Sequence, residues 1–149
     1  MSHTYSKILL HAVFSTKQRR PLIDDAWSDR LYSYIGGIVR ENGASLLRAG
    51  GVSDHVHLLL ESKTSLAPSD LLRLIKTYSS GWLHDEHLSP GFAWQTGYGI
   101  FSVSRSQQDA VVAYIDGQAD HHRQQSFQDE LRAILKRHGI EFDEQYLWD

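Results

Sequence analysis

Cysteine is missing from this chain altogether, methionine occurs once and proline three times among 149 residues. Without thiols the protein holds no disulfide, no thiolate nucleophile and no cysteine-ligated zinc. No run approaches the roughly 20 apolar residues that a membrane-crossing helix requires. Met1 to Ser6 has neither the cationic nor the apolar stretch of a signal peptide, so a cytoplasmic protein is expected. An excess of positive charge is lacking too: 15 lysines and arginines face 18 aspartates and glutamates, a net charge of −3. A nucleic-acid binder ordinarily carries a basic footprint. Residues 127–149 hold six acidic and three basic side chains, so the first 126 residues carry twelve of each. Binding to nucleic acid would have to rest on local basic patches.

What is present suffices for one core. Hydrophobic side chains make up 41% of the chain, and no repeat, linker or low-complexity tract divides it, so residues 1–149 read as a single domain. Lys7 to Thr16 reads as a strand, and Asp24 to Arg40 as a helix with Trp27, Leu31, Tyr34, Ile35 and Ile38 on one apolar face. Strands over Ala44 to Ala49 and Asp54 to Glu61 flank Gly50-Gly51, a pair suited to a hairpin turn. Pro68 to Leu83 reads as a second helix, Trp94 to Ser104 as a fourth strand, and Gln128 to His138 as a last helix closed by Gly139. The order βαββαβ followed by helices predicts an α+β, ferredoxin-like sandwich whose antiparallel sheet is covered on one face. The uncovered face or its edge is left for a site.

Within the run Ser53-Asp54-His55-Val56-His57-Leu58-Leu59-Leu60-Glu61, two histidines stand two residues apart. Successive side chains of a strand point to opposite faces, so His55 and His57 share one face and both imidazoles can reach the same ion. Histidines in a buried strand need hydrogen-bond or metal partners, and satisfied structural histidines are the competing reading. From Gln107 to Gln124, apolar residues at Val111, Val112, Ile115 and Ala119 have helical spacing. Tyr114 and Gln118 are neighbours on the polar stripe of that helix, and His121 and His122 extend it. Ser106, with Asp109 three residues on, marks a plausible start. Gly117 disfavours a helix interior by about 1 kcal/mol relative to alanine, which points to a local reason for it, such as close approach of a ligand backbone.

Three segments occur together in one order: His55-Val56-His57 with Leu58 to Leu60, Trp94 to Tyr98 running on to Phe101-Ser102-Val103-Ser104, and Tyr114-Ile115-Asp116-Gly117-Gln118. The opening His11-Ala12-Val13-Phe14-Ser15-Thr16-Lys17 with Arg20-Pro21-Leu22, and the ending Phe142 to Trp148, complete a pattern that covers nearly the whole chain. This pattern closely resembles the single-tyrosine HUH transposases of bacterial insertion sequences. The opening places the chain with the mobile-element enzymes, apart from the branch that acts on chromosomal repetitive palindromes.

The resemblance implies that Tyr114 is the nucleophile, that His55, His57 and Gln118 hold Mg2+ or Mn2+, and that single-stranded DNA with hairpins at element ends is the substrate. It also implies a homodimer with composite sites, in which the histidines of one subunit face Tyr114 of the other. A divalent ion would polarise a phosphate oxygen and lower the barrier to attack by a phenol that is mostly protonated at neutral pH. The 5′-phosphotyrosine so formed retains the energy of the cleaved bond, and a free 3′-hydroxyl can later attack it without ATP. DNA contacts are expected from Arg73, Lys76 and Thr77, which with Ser80 share the outer face of the second helix, from Lys17, Arg19 and Arg20, and from Arg105. His121 and His122, which extend the Tyr114 stripe, are candidate accessory residues able to contact phosphate. Of the competing tyrosines, Tyr34 and Tyr78 lie on apolar helix faces and read as core, and Tyr98 falls in the fourth strand.

A histidine-triad phosphoesterase would continue the alternation, but position 59 is Leu59, and the second histidine step of a two-motif phosphoesterase is missing. A non-catalytic nucleic-acid-binding regulator derived from a transposase is the remaining alternative. It has no use for Tyr114, Gln118 and both histidines together.

Overall fold

β1 (Ile8–Ser15) and β3 (His55–Ser62) are the most thoroughly buried strands, and both occupy the middle of the sheet. The computed structural model describes residues 3–147; Met1, Ser2 and the Trp148 of the terminal motif lie outside the described residues. β2 (Ser45–Val52) and β4 (Gly99–Val103) form the edges, so the order is β2-β3-β1-β4 with every neighbouring pair antiparallel. With α1 (Ser28–Glu41) after β1 and α2 (Pro68–Asp85) after β3, this is the ferredoxin-like βαββαβ arrangement. No helix among the described residues is long and apolar enough to cross a membrane.

Alternation along the central strands sorts two cores. Ala12 and Phe14 of β1 and Val56, Leu58 and Leu60 of β3 pack under Leu31, Ile35 and Val39 of α1 and Leu71, Leu72 and Ile75 of α2. Each fully buried aliphatic side chain contributes about 1.5–3 kcal/mol. The opposite face was expected to be bare, and it is not. α3 (Gln108–Asp116), α4 (Gln118–His121) and α5 (Phe127–Arg137) lie on that side, where Val13 and Phe101 pack against Phe127, Leu131, Ile134 and Leu135. An amphipathic helix with five residues to bury needs an apolar patch, and the second face of β1 and β4 supplies it.

Three local readings differ from the structure. Gly50 and Gly51 continue β2, and the turn falls at Ser53-Asp54, because the ladder runs on to Val52 opposite His55. The fourth strand begins only at Gly99; before it, Trp94 makes a single bridge to Thr16 and the chain bends. Lys76 explains the bend. Its Nζ donates to the carbonyl oxygens of Gln95 at 2.9 Å, Thr96 at 3.3 Å and Gly97, and it sits 5.2 Å from the Phe14 ring centroid and 5.4 Å from that of Tyr98. Burial pushes this amine down to about 8. Tyr78, expected in the core, is exposed, while Tyr34 stacks on Trp82 with centroids 4.9 Å apart.

Candidate active site

His55 and His57 lie on the face of β3 that α3, α4 and α5 cover, and both are fully buried. The third helix does not run unbroken from Gln107 to Gln124. It stops at Gly117, whose N–H donates to the Ala113 carbonyl at 3.1 Å, and a new turn starts at Gln118. No side chain caps the start of α3; the Ser106 hydroxyl pairs with Ser104 Oγ at 3.0 Å.

Close approach of α3 to the sheet depends on Gly50. A bulge between Leu46 and Arg48 shifts the register of β2 so that Gly50 pairs with His57. A Cβ at Gly50 would come within 2.8 Å of the Ile115 carbonyl oxygen and 2.9 Å of its Cγ2. Gly50→Ala is therefore expected to lift the tyrosine helix, lowering stability by about 1–3 kcal/mol. Thermal denaturation checks this, and a melting temperature equal to wild type would show that the helix yields freely.

The pocket converges on a residue that the strand and helix motifs did not reveal. Glu130 of α5, 1% exposed, places Oε1 at 3.0 Å from His57 Nε2, 3.1 Å from His122 Nε2 and 3.3 Å from His55 Nε2. Its Oε2 accepts the Tyr114 hydroxyl and the Gln118 amide at 3.1 Å, with His121 Nε2 3.3 Å away. The Gln118 carbonyl oxygen turns to His55 Nε2 at 3.1 Å. Behind the pair, His55 Nδ1 donates to Asp54 at 2.8 Å, and His57 Nδ1 shares a proton with His11 Nε2 at 2.8 Å. Such contacts set tautomer and ring orientation.

Electrostatics follow from this packing. Burial opposes charge on His55, but hydrogen bonds to Asp54 and Glu130 outweigh it and push the imidazole up to about 9. Burial prevails at His57, down to about 4, and at His11, down to about 3. Burial also disfavours the charged form of Glu130, yet hydrogen bonds from His55 and His57 hold its carboxyl well below the usual range. Burial and then Glu130 push the Tyr114 phenol above its ordinary value. The proton between Tyr114 and Glu130 thus stays on the phenol, and the bond orients the hydroxyl.

The structure brings His55, His57, Tyr114, Gln118, His121 and His122 into one pocket. His57 and Tyr114 of the same chain have ring centroids 5.5 Å apart. A cleft of about 550 Å3, lined by His11, Phe101, Gln107, Tyr114, Arg137 and His138, opens beside the phenol. The donor atoms of His55, His57, His122 and Glu130 lie within 4.8 Å of one another, a set that could hold a metal ion. The basic residues are spread. Lys17, Arg20, Arg73, Thr77 and Arg105 are exposed, Arg19 is half-buried, and Arg73 lies 3.9 Å from Asp70. The Lys76 ammonium is engaged with carbonyls, away from the outward role expected of it. Two signals for the missed residues were present. Glu130 sits in the apolar stripe Phe127, Leu131, Ile134, Leu135, and His11 interrupts the apolar strand Ile8 to Phe14.

Comparison with known proteins fits this geometry. Residues 4–118 match the family described as Transposase IS200 like. The ISDra2 transposase TnpA of Deinococcus radiodurans is 27% identical over 116 residues, covering 74% of this chain and 83% of that protein. A crystal structure of a Deinococcus radiodurans R1 protein described as a transposase superposes with a TM-score of 0.64 at 26% identity, over 79% of this chain and 95% of that one. A REP-associated tyrosine transposase, solved bound to a REP hairpin, shares the fold with a TM-score of 0.61 at 15% identity, over 82% and 73%. With the family match spanning well over half its length, the chain belongs to the IS200-like transposases.

Proposed function

We propose that this transposase cleaves and rejoins single-stranded DNA at hairpin-marked element ends, with Tyr114 as nucleophile. The reading rests on one observation: the Tyr114 hydroxyl, both strand histidines and Gln118 meet around a single buried point. In the step, Tyr114 Oη bonds to phosphorus, the bond from phosphorus to O3′ breaks, and the phenol proton ends on the released 3′-hydroxyl. The 5′-phosphate stays on Tyr114. His55, His57 and Gln118 fit a divalent cation, Mg2+ or Mn2+, because their Nε2 and Oε1 atoms point inward while Asp54 and His11 hold the rings from behind. When bound, such an ion neutralises charge on a phosphate oxygen and lowers the pKa of an attacking hydroxyl.

Glu130 aims the phenol, and the adjoining cleft is large enough for a nucleotide. Lys17, Arg19, Arg20, Arg73, Thr77 and Arg105 supply phosphate contacts that suit recognition by shape and backbone. The likeness to a protein solved on a REP hairpin supports a hairpin substrate. The working unit is a homodimer that exchanges tyrosine helices, and Gly117 and the turn before Gln107 are the joints. Incubation of the protein with Mn2+ and hairpin-bearing single-stranded oligonucleotides is expected to yield an adduct stable in denaturing gels. Retarded DNA with no adduct under any divalent ion would favour the non-catalytic regulator.

A further inference from the structure

Glu130 lies beyond the residues that match the family, on a helix separate from both the histidine strand and the tyrosine helix. We propose that Glu130 bridges the two halves of the site: Oε1, together with His55, His57 and His122, ligates the divalent ion, while Oε2 fixes the Tyr114 phenol. The site then favours an ion that accepts imidazole ligands readily, cobalt or zinc foremost and manganese after them, over magnesium. This rests on the reading that the histidine pair holds a metal.

Three observations carry it. First, a carboxylate occupies a core position of an amphipathic helix, flanked by Phe127, Leu131 and Ile134, and the imidazoles of His55, His57, His121 and His122 are its neighbours within 3.3 Å. A buried carboxylate is ordinarily paired or coordinates a metal. Second, the donor atoms converge. With Nδ1 held by the Asp54 carboxylate, His55 turns Nε2 toward Gln118 Oε1 at 3.1 Å and Glu130 Oε1 at 3.3 Å, and His57 and His122 turn Nε2 toward the same Glu130 oxygen at 3.0 and 3.1 Å. Protons hold these groups together in the free protein, and a divalent ion can take their place. Third, the two carboxylate oxygens are divided between different partners: Oε1 faces the ring nitrogens of His55, His57 and His122, and Oε2 faces the phenol, the Gln118 amide nitrogen and, at 3.3 Å, His121 Nε2. Three imidazoles with one carboxylate form a nitrogen-rich set, whereas magnesium prefers oxygen and water.

The test is metal binding without DNA, read by loss of the free Mn2+ signal in electron paramagnetic resonance and by the visible spectrum of Co2+. Wild type is expected to bind one ion, and Mg2+ at about a hundredfold excess should not displace it. Glu130→Gln, which keeps shape and hydrogen bonding, and His122→Ala should each weaken binding about tenfold or more. Tyr114→Phe should stay within about threefold of wild type, because the phenol is not a ligand. Circular dichroism checks folding, and the half-buried His122 carries the test should Glu130→Gln fail to fold. Wild-type affinity in both variants, with His57→Ala unable to bind, would overturn the bridging role and leave the two-histidine site standing. An equal loss in Tyr114→Phe would overturn the division between the oxygens, and ready displacement by Mg2+ would overturn the preference. Wild type that binds no ion at all would overturn the proposal and the metal-dependent reading together.

Discussion

Tyr114→Phe protein is expected to fold, bind hairpin DNA and form no covalent adduct. The change removes one hydroxyl and its hydrogen bond to Glu130. A bond of that kind contributes about 0.5–1.5 kcal/mol net, up to about 3 where one partner is charged, against a total of about 5–15 for a domain. Gln118 at 3.1 Å and His121 at 3.3 Å still face the Glu130 oxygen left behind. DNA affinity, carried mostly by backbone contacts, should change little. Cleavage should fall to background, because the atom that bonds to phosphorus is gone. Peptide mapping of the wild-type adduct by mass spectrometry checks the assignment directly. A phosphopeptide centred on any other tyrosine would refute it. Tyr114 is the tyrosine whose ring packs against His57, at 5.5 Å between centroids, and against His11, at 6.2 Å.

His57→Ala is expected to abolish Mn2+-dependent cleavage while leaving hairpin binding in place. The substitution removes one inward-facing nitrogen and strips partners from both His11 and Glu130, so a stability loss of about 1–3 kcal/mol accompanies it. Circular dichroism at the assay temperature separates that loss from the loss of chemistry. Full cleavage by this variant in the presence of a chelator would remove the metal from the mechanism. Paired with Tyr114→Phe, the same variant tests whether sites are composite. In a dimer that exchanges tyrosine helices, a mixed pair holds one site with both intact halves. Random exchange of equal amounts makes about half the dimers mixed, so about a quarter of wild-type activity should return. If labelled subunits prove to exchange and nothing returns, each site assembles within one chain, with Tyr114 against its own His57.

The elements that emerged from sequence did so because their rules are local. β1, β3, α1, α2 and α5 each carry enough apolar residues at the right period to indicate both type and buried face. Where a local rule competed with a long-range contact, the contact prevailed. Gly50-Gly51 has the composition of a turn, yet it stays in β2 because His57 and Val56 offer ladder partners and Ile115 needs the room of a missing Cβ. Trp94 to Tyr98 alternates plausibly as strand, but Lys76 draws its carbonyls into a bend. Helical spacing turned Lys76 outward, and its long stem carried the amine back to those carbonyls instead.

The site divides in the same way. His55 and His57 share a face by the two-residue period of a strand, and Tyr114 and Gln118 lie side by side by the turn of a helix, so sequence alone determined both halves of the candidate site. Alternation and helical pitch act between neighbours along the chain and need no partner. The meeting of those halves belonged to the tertiary structure, since it depends on the bulge that sets Gly50 opposite His57 and on α5 crossing the second face of the sheet. So did the parts of Glu130 and His11. A carboxylate in an apolar stripe and an imidazole in an apolar strand mark themselves as unusual, but their partners lie 73 and 46 residues away at His57. Burial made those partners obligatory, and only the packing of sheet against helix determined which they would be.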